Sequence, residues 1–419
     1  MPTVTEAHDR VAWNSFLASP ALPDGRSGRQ PFRPFLQSWE MGEVYRDVGN
    51  EIVRLEIRER NELIGICFGH IVPARRGRHL SIPYGPILGT GGWGLLLEEL
   101  THFAKDAGCT FIRMSPFLPL HHGSTELTMT QQGFRPSPLH LLAEHLWYLP
   151  LVEPDPWANT CHTEPVEVST HAGNGLLRRA QDDTLPMTKE DIFKEMRATT
   201  RNLIRRAENE DVTITVSDDP IRDMPLFLAL HDETRKRHGF TPYTDAFFHA
   251  QLKHFPSPSS QFPVPSSPSC SLYLAHYQNE VIAASIHMHF AGETSYHHGA
   301  SSQKYRNIPA SYLLQWHAIQ DALARSDHIY NFWGIAPLSR DEQAIFLQEK
   351  QPKGSWGIPL SPCKKIACPA RHPFAGVTTF KTGFGGKLLE LQHCMDLPLS
   401  PTYYLTRSFE TLRKWRRGF

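Results

Sequence analysis

The stretch YHHGASSQKYRNIPASYLLQWHAIQDALARSDHIYNFWGIAP, residues 296–337, predicts a strand, a loop, a helix and a second strand in succession. Small residues form the loop, and Pro309 suits the first turn of a helix, where its missing N–H group would have no partner. Apolar residues then recur at helical spacing: Tyr312, Leu313, Trp316, Ile319, Ala322 and Leu323. Because backbone donors and the helix dipole point toward this loop, we expect an anionic or acyl group to bind there.

The composition limits the class of protein. A chain of 419 residues exceeds one ordinary core, so we expect two domains. The 43 basic and 43 acidic residues balance, which excludes a generally basic nucleic-acid-binding protein and confines any basic surface to a local patch. The sequence contains no apolar run near the ~20 residues that span a bilayer, and its first residues lack the layout of a signal peptide.

The cysteines indicate the compartment and argue against a metal site. Seven scattered cysteines suit a reducing environment, so we expect a cytoplasmic protein. Cys363 and Cys368 are the closest pair, but no second pair or histidine accompanies them at zinc spacing. We therefore expect no metal.

The two halves of the chain repeat one order of elements. Asn61-Glu62 and Asn279-Glu280 each begin a strand, followed by a strand, a small-residue loop, a helix, a strand that ends before proline, a Gly-Phe turn and a closing strand. The closing strands are predicted at 144–149 and 388–393. This order predicts a duplicated α/β domain in which a helix packs beside a mixed sheet, as in N-acetyltransferase (GNAT)-like folds.

These elements give the predicted domain boundaries. The first domain covers 1–150, an irregular linker follows at 151–187, and the second domain covers 188–400. The Pro-rich and irregular composition of two further segments predicts insertions at about 255–270 and at 338–371. Residues 401–419 are expected to form a basic amphipathic helix, and no heptad-rich coiled-coil arm is present.

Several stretches match one family. They are FLQSWEMGEV (35–44), IPYGPIL (82–88), KEMRATTRNLIRRAE (194–208), the opening stretch, and HPFAGVTTFKTGFGGKLLE (372–390). On these residues the chain resembles the Fem family (FemABX) of peptidoglycan bridge-forming aminoacyltransferases. The resemblance implies two GNAT-like domains and no cofactor, with aminoacyl-tRNA as co-substrate and a lipid-linked or UDP-linked muropeptide as acceptor. We also expect a monomer with peripheral contact to the inner face of the plasma membrane.

The resemblance also implies functional residues. Phe380 and Lys381, on a predicted strand at 377–381, match the pair near the reaction centre, where Lys381 would act as a cation beside the developing charge. Substrate binding is implied for strand and loop residues near the starts of the two repeated helices and for one N-terminal arginine. These residues are Arg306, Tyr296, His298, Tyr84 and Arg46. The alternative role for the residues near the helix starts is packing. A basic face of one helix is implied to contact tRNA through Lys194, Arg197, Arg201 and Arg205.

Two other functions stay open at this level. The first is an acetyl-CoA-dependent N-acetyltransferase, which needs backbone donors before the second helix, where Pro309 removes one. The second is a non-catalytic protein that binds tRNA or a wall precursor. The second is favoured if departures from the family pattern abolish acceptor binding. One such departure is that Glu43 and Tyr45 stand where a phosphate-binding lysine is expected.

Overall fold

The computed structural model describes residues 1–19, 33–74, 77–89, 91–120, 129–153, 185–238, 243–258, 267–337, 372 and 374–417. Most of the predicted linker, much of the insertion at 255–270 and all of that at 338–371 lie outside these residues. The fold consists of two mixed sheets with helices packed on them, which confirms the predicted fold class.

The first sheet follows the order β1-β2-β3-β4-β6-β17-β7, with β5 paired to β3. Its pairs are antiparallel except β4 with β6. The hairpin between β2 and β3 turns at Arg60 and Asn61, both with positive φ, as a tight two-residue turn requires. The strands are β1 (Thr3–Glu6), β2 (Ile52–Glu59), β3 (Glu62–Val72), β4 (His79–Ile82), β5 (Ile87–Leu88), β6 (Phe111–Met114), β7 (Arg135–Pro136) and β17 (Met395–Pro398).

The second sheet repeats this plan in the order β11-β12-β13-β14-β15-β8-β16. Its parallel pair is β14 with β15, and its hairpin turns at Gln278 and Asn279, again with positive φ. The internal repeat is therefore confirmed. The strands are β8 (His145–Pro150), β11 (Thr213–Val216), β12 (Ser269–Tyr277), β13 (Glu280–Phe290), β14 (Glu293–Ser301), β15 (Ile329–Gly334) and β16 (Lys387–Glu390); β9 (Val152–Glu153) and β10 (Leu185–Pro186) pair separately.

The two halves exchange one strand each. The prediction that 144–149 closes the first domain is wrong, because β8 lies between β15 and β16 of the second sheet. In return β17, from the second half, lies between β6 and β7. The predicted limits of 1–150 and 188–400 therefore do not separate the sheets. An apolar central strand has the same sequence pattern in either sheet, so periodicity could not assign it.

Ten α-helices are described, besides a short 3₁₀ helix at Phe35–Gln37: α1 (Arg10–Ala18), α2 (Trp39–Asp47), α3 (Trp93–Asp106), α4 (Lys189–Glu195), α5 (Ala198–Asn209), α6 (Pro220–His238), α7 (Asp245–His254), α8 (Ala310–Ala324), α9 (Ala375–Thr382) and α10 (Tyr403–Arg417). The repeated helices α3 and α8 each bury a stripe at spacing four: Leu96, Leu100 and Ala104, and Leu314, Ala318 and Ala322. In the described ranges, no helix has the length and apolar composition needed to cross a bilayer.

One hydrophobic core joins the two halves. It contains Phe68 from β3, Leu146 from β8, Phe248 from α7 and Ile286 from β13, all fully buried. Two further cores lie within the second and first units. The shared core holds the two sheets against each other.

A buried ion cluster fixes the exchanged strand β17 and the helix α10. The Arg113 guanidinium on β6 donates to both carboxylate oxygens of Asp396 at 2.8 and 2.9 Å and to Glu410 at 2.7 Å. Tyr403 donates to Asp396 at 3.1 Å. Although burial opposes the charge, these hydrogen bonds raise the pKa of Arg113 above its ordinary range.

We predict that Asp396→Ala lowers the free energy of unfolding by about 3–5 kcal/mol, because it removes the main partner of a buried guanidinium. Urea denaturation measures this change. As a control, Asp218→Ala removes one member of an exposed pair with Arg222 and should cost less than about 1 kcal/mol. Equal losses in the two variants would contradict the role given to Asp396.

Candidate active site

The site begins with a bulge at the end of β15. The pairing of β15 with β8 shifts register between Asn331 and Gly334, and Trp333 adopts a positive φ of 67°. The Asn331 side chain accepts the Trp333 N–H at 2.8 Å. Such a bulge locally redirects the strand, and here the Gly334 carbonyl meets the lysine side chain of α9.

That lysine is Lys381, in the last turn of α9. Its side chain is buried, with 7% of the residue exposed. Its Nζ donates to the Gly334 carbonyl at 2.7 Å and lies 5.6 Å from the centroid of the Tyr296 ring. Burial lowers the pKa of Lys381 from 10.5 to about 7. A large fraction of this amine is therefore neutral near neutral pH.

The segment that carries Lys381 is a helix, so the predicted strand at 377–381 is wrong. Valine, threonine and phenylalanine favour strands, but tertiary contacts override this preference. Thr378 Oγ1 accepts the Ala336 N–H at 2.9 Å, and Thr382 Oγ1 accepts from Arg197 at 2.9 Å. Both ends of α9 are thereby anchored.

Phe380 lies beside Lys381 in sequence but packs against the hydrophobic core of the second unit. Its ring contacts Tyr312 and Phe384 with centroid distances of 4.8 and 5.4 Å. Its carbonyl accepts the Gly383 N–H. The structure thus gives Phe380 a packing role, and its part in catalysis stays a prediction.

Tyr296 on β14 forms the other side of the lysine environment. Its ring stacks on His287 with a centroid distance of 5.4 Å, and burial raises the pKa of Tyr296 to about 12, so the phenol is neutral. A Cβ at Gly299 would overlap the Tyr296 hydroxyl. Only glycine at 299 therefore leaves the tyrosine in this place.

Sequence reasoning missed a buried chain of hydrogen-bonded side chains behind Tyr296. His287 Nε2 lies 2.7 Å from the Tyr330 hydroxyl, which donates to Gln315 at 2.7 Å. It also missed Gly334. An isolated glycine in a strand pattern is a recognised sign of a bulge, and the segment NFWG carried that sign.

Two of the predicted substrate residues lie in packed surroundings. Tyr84 is 1% exposed and donates to the Ala143 carbonyl at 2.6 Å, while its ring lies 5.6 Å from that of Trp333. His298 lies against Tyr243 and Phe248, and burial holds its pKa well below its ordinary value. Their packing contacts match the alternative that the sequence left open.

The two predicted substrate arginines differ. Arg46 on α2 donates to both carboxylate oxygens of Glu43, at 2.7 and 2.6 Å, so an acidic neighbour already holds its guanidinium. Arg306 is exposed in the loop between β14 and α8. Arg206 of α5 donates to the carbonyl of Asn307 in the same loop at 3.1 Å, so a second cation lies nearby.

The basic face predicted for one helix is not formed. The predicted helix is interrupted between α4 and α5, where Met196 has an extended backbone and Arg197 is the N-cap of α5. Arg201 turns back and donates to the carbonyls of Lys194 and Met196. Lys194 and Arg205 stay exposed, but they belong to different helices. Contact with tRNA stays a prediction for these residues.

We predict that Lys381→Met stabilises the protein at pH 7 and that this gain shrinks as pH rises. The unfolded lysine binds a proton up to pH 10.5, whereas the folded one releases it near 7, so wild-type stability rises with pH across this window. The difference between the two pKa values corresponds to a gain in the free energy of unfolding of about 5 kcal/mol below pH 7. The loss of the hydrogen bond from Lys381 to the Gly334 carbonyl reduces this gain.

Urea denaturation of both proteins from pH 6 to 9.5 tests this prediction. Lys105→Met, which removes an exposed lysine of α3, controls for the loss of a surface charge. If the difference in the free energy of unfolding between Lys381→Met and the wild type were constant across this pH range, burial would not perturb the pKa of Lys381.

Comparison with known proteins agrees with this architecture. A sequence model of the FemAB family matches residues 270–411, and a model of the acetyltransferase (GNAT) domain matches residues 194–339. Aminoacyltransferase FemA from Staphylococcus epidermidis is 19% identical, over 84% of this chain and 88% of that protein. The match to the FemAB family model includes Tyr296, Arg306 and Lys381.

Two solved structures share the fold. The crystal structure of FemX superposes with a TM-score of 0.64 at 14% identity, covering 97% of this chain and 100% of that one. A tandem GNAT protein from the clavulanic acid biosynthesis pathway superposes with a TM-score of 0.51 at 9% identity, covering 96% and 99%. These two structures show the fold of two GNAT-like domains, and the family models together with FemA confirm the resemblance to the FemABX acyltransferases.

Proposed function

We propose that the protein transfers an amino acid from aminoacyl-tRNA to the stem-peptide amine of a muropeptide precursor, and so takes part in forming peptidoglycan bridges. The observation that carries this proposal is Lys381, a buried amine with a pKa of about 7 next to Tyr296 and the Gly334 carbonyl. The similarity to the aminoacyltransferase FemA supports the same donor class.

The reaction is an aminolysis of an ester. The acceptor amine attacks the aminoacyl carbonyl, a C–N bond forms, and the C–O bond to the ribose breaks. The attacking nitrogen loses a proton and the leaving ribose oxygen gains one. A lysine whose pKa lies near the working pH can accept the first proton and deliver it to the leaving oxygen. In this proposal Lys381 acts as a proton carrier, which revises the permanent cation expected from the sequence.

Other residues would hold the two substrates. Tyr296 forms the wall beside Lys381, and Arg306 presents an exposed guanidinium in the loop before α8, where it can pair with a phosphate. Lys194 and Arg205 offer exposed charge to the tRNA backbone. Arg46 would bind a precursor phosphate only by leaving Glu43.

The structure disfavours the two alternatives. In the loop before α8, the N–H of Ser302 donates to the Ile282 carbonyl and that of Gln303 to the Glu233 carboxylate, so these donors are not open to the pyrophosphate of acetyl-CoA, and an acidic group lies there. A protein that only binds its ligands has no need for a lysine whose pKa burial lowers to about 7. Both observations favour aminoacyl transfer.

We predict that Lys381→Met lowers kcat for aminoacyl transfer at least about 100-fold, the range of general acid–base catalysis. Lys381→Arg should be equally inactive because arginine cannot release its proton. The wild-type rate should rise with pH through about 7, where Lys381 loses its proton. The assay follows labelled amino acids from mixed aminoacyl-tRNAs to lipid-linked and UDP-linked precursors.

Lys105→Met is the matched control and should keep full activity. A parallel reaction contains acetyl-CoA in place of aminoacyl-tRNA. Acetyl transfer, or tight binding of tRNA and precursor without turnover, would contradict the proposed function and favour one of the alternatives.

The helix α10 supports a lipid-linked acceptor. Tyr403 faces the protein and is buried, whereas Leu405 and Trp415 are 75% and 79% exposed and Leu412 is 52% exposed. Basic residues flank this apolar face, at Arg413 and Arg416. An exposed apolar face with flanking cations is typical of a helix that lies in the interface of an anionic membrane. We propose that α10 brings the protein to the surface where a lipid-linked precursor resides.

We predict that the protein co-sediments with vesicles containing phosphatidylglycerol and that Leu405→Ser with Trp415→Ser lowers the bound fraction at least fivefold, because the substitutions remove most of the buried apolar area. Val11→Ser is the matched control, since Val11 is 74% exposed on α1. Undiminished binding of the double variant would exclude α10 as the contact.

A further inference from the structure

A group of metal-ligand side chains lies where the two exchanged segments of the chain meet. Glu144 directly precedes β8, and His393 lies between β16 and β17. His140 is four residues before Glu144. One ligand atom from each of His140, Glu144 and His393 lies within 4.8 Å of the other two. This cluster takes no part in the proposed function.

The hydrogen bonds of the cluster leave one position that only a positive group can fill. His393 Nε2 lies 2.8 Å from the Ser137 carbonyl, so this nitrogen carries the proton. Nδ1 of His393 lies 2.9 Å from Glu144, and two lone pairs would meet there if the ring were neutral. A second proton or a metal ion must therefore lie between His393 and Glu144.

His140 approaches the same carboxylate from the solvent side. Its Nδ1 lies 2.9 Å from Glu144 Oε2, and Glu144 also accepts the Cys394 N–H at 2.9 Å. Glu144 is 8% exposed. Two imidazole nitrogens thus converge on one buried carboxylate.

We propose that His140, Glu144 and His393 bind a divalent transition-metal ion of the Zn²⁺ class, with His140 Nδ1, His393 Nδ1 and a Glu144 oxygen as ligands. Two histidines and one glutamate form a known zinc set, with ligand distances of about 2.0–2.2 Å and one further position for water. The exposed side chain of His140 places that position toward solvent. Ligands of such an ion lie roughly 3.3 Å apart, so the pairs at 2.9 Å open by a few tenths of an ångström.

The surroundings have the form of a metal site. A metal-ligating histidine normally donates its other N–H to a carbonyl or carboxylate, which fixes the tautomer, and the Ser137 carbonyl occupies that place for His393. The sequence analysis predicted no metal site because it considered only the spacing of the cysteines. The ligands are separated by 249 positions between Glu144 and His393, and no motif could join them.

The ion would connect the two crossing segments. The neighbouring carbonyl of Ala143 accepts the Tyr84 hydroxyl, and a Cβ added at Gly334 would overlap that of Ala143. Gly334 is the residue whose carbonyl holds Lys381. The ion would therefore order the segment that packs against the bulge of β15.

The test uses the full-length chain without a polyhistidine tag, freed of metal by a chelator. Zn²⁺ is titrated in competition with a chromophoric chelator, and we expect one ion per chain at this site. His140→Ala and His393→Ala should each weaken that binding at least tenfold. His102→Ala is the matched control, because His102 faces Asp106 at 3.2 Å with the same spacing of four residues but belongs to no such group of three among the described residues.

Thermal unfolding gives a second measurement. Because an ion that binds only the folded state stabilises it, Zn²⁺ should raise the Tm of the wild type and of His102→Ala but not that of His140→Ala. Co²⁺ should give visible absorption bands that His140→Ala lacks. Equal affinity in the wild type and His140→Ala, or no ion bound at one equivalent, would overturn the proposal and leave a proton as the bridging group.

Discussion

Each sheet of this protein is completed by a strand from the other half of the chain. Removal of β17 would leave facing edges on β6 and β7, and removal of β8 would leave them on β15 and β16. Exposed edges are costly and prone to wrong pairing, so neither sheet is complete until both halves have folded. The shared core and the cluster of Arg113, Asp396 and Glu410 reinforce this dependence. The duplicated domains therefore form one unit.

The candidate active site depends on this exchange. The exchanged strand β8 pairs with β15 through the register shift that precedes Gly334, and the resulting bulge presents the carbonyl that Lys381 contacts. Trp333 has a backbone conformation that costs about 1–3 kcal/mol for a residue other than glycine. Such strain persists only where surrounding structure requires it, and here β8, Asn331 and Tyr84 surround the bulge. A strand from the first half thus shapes the site of the second.

Local signals explain what the sequence could predict. Paired residues at each hairpin, Arg60-Asn61 and Gln278-Asn279, stand between alternating strands, and the helices α3 and α8 carry apolar stripes at helical spacing. These features made the repeat and the fold class visible. The break between α4 and α5 has no glycine or proline to announce it. The exchange of β8 and β17, like the meeting of His140 with His393, depends on contacts between distant segments, which periodicity does not record.

Lys381 shows why the resemblance could locate a functional residue but not its state. A lysine in the last turn of a helix is normally favoured as a cation by the helix dipole, an effect of about 0.3–1 kcal/mol at the surface. Burial acts in the opposite direction, and the net lowering of the pKa from 10.5 to about 7 corresponds to about 5 kcal/mol. Desolvation therefore outweighs the dipole several-fold. The packing of α9 against β15 and Tyr296 imposes this desolvation, so the protonation state of Lys381 is a property of the tertiary fold.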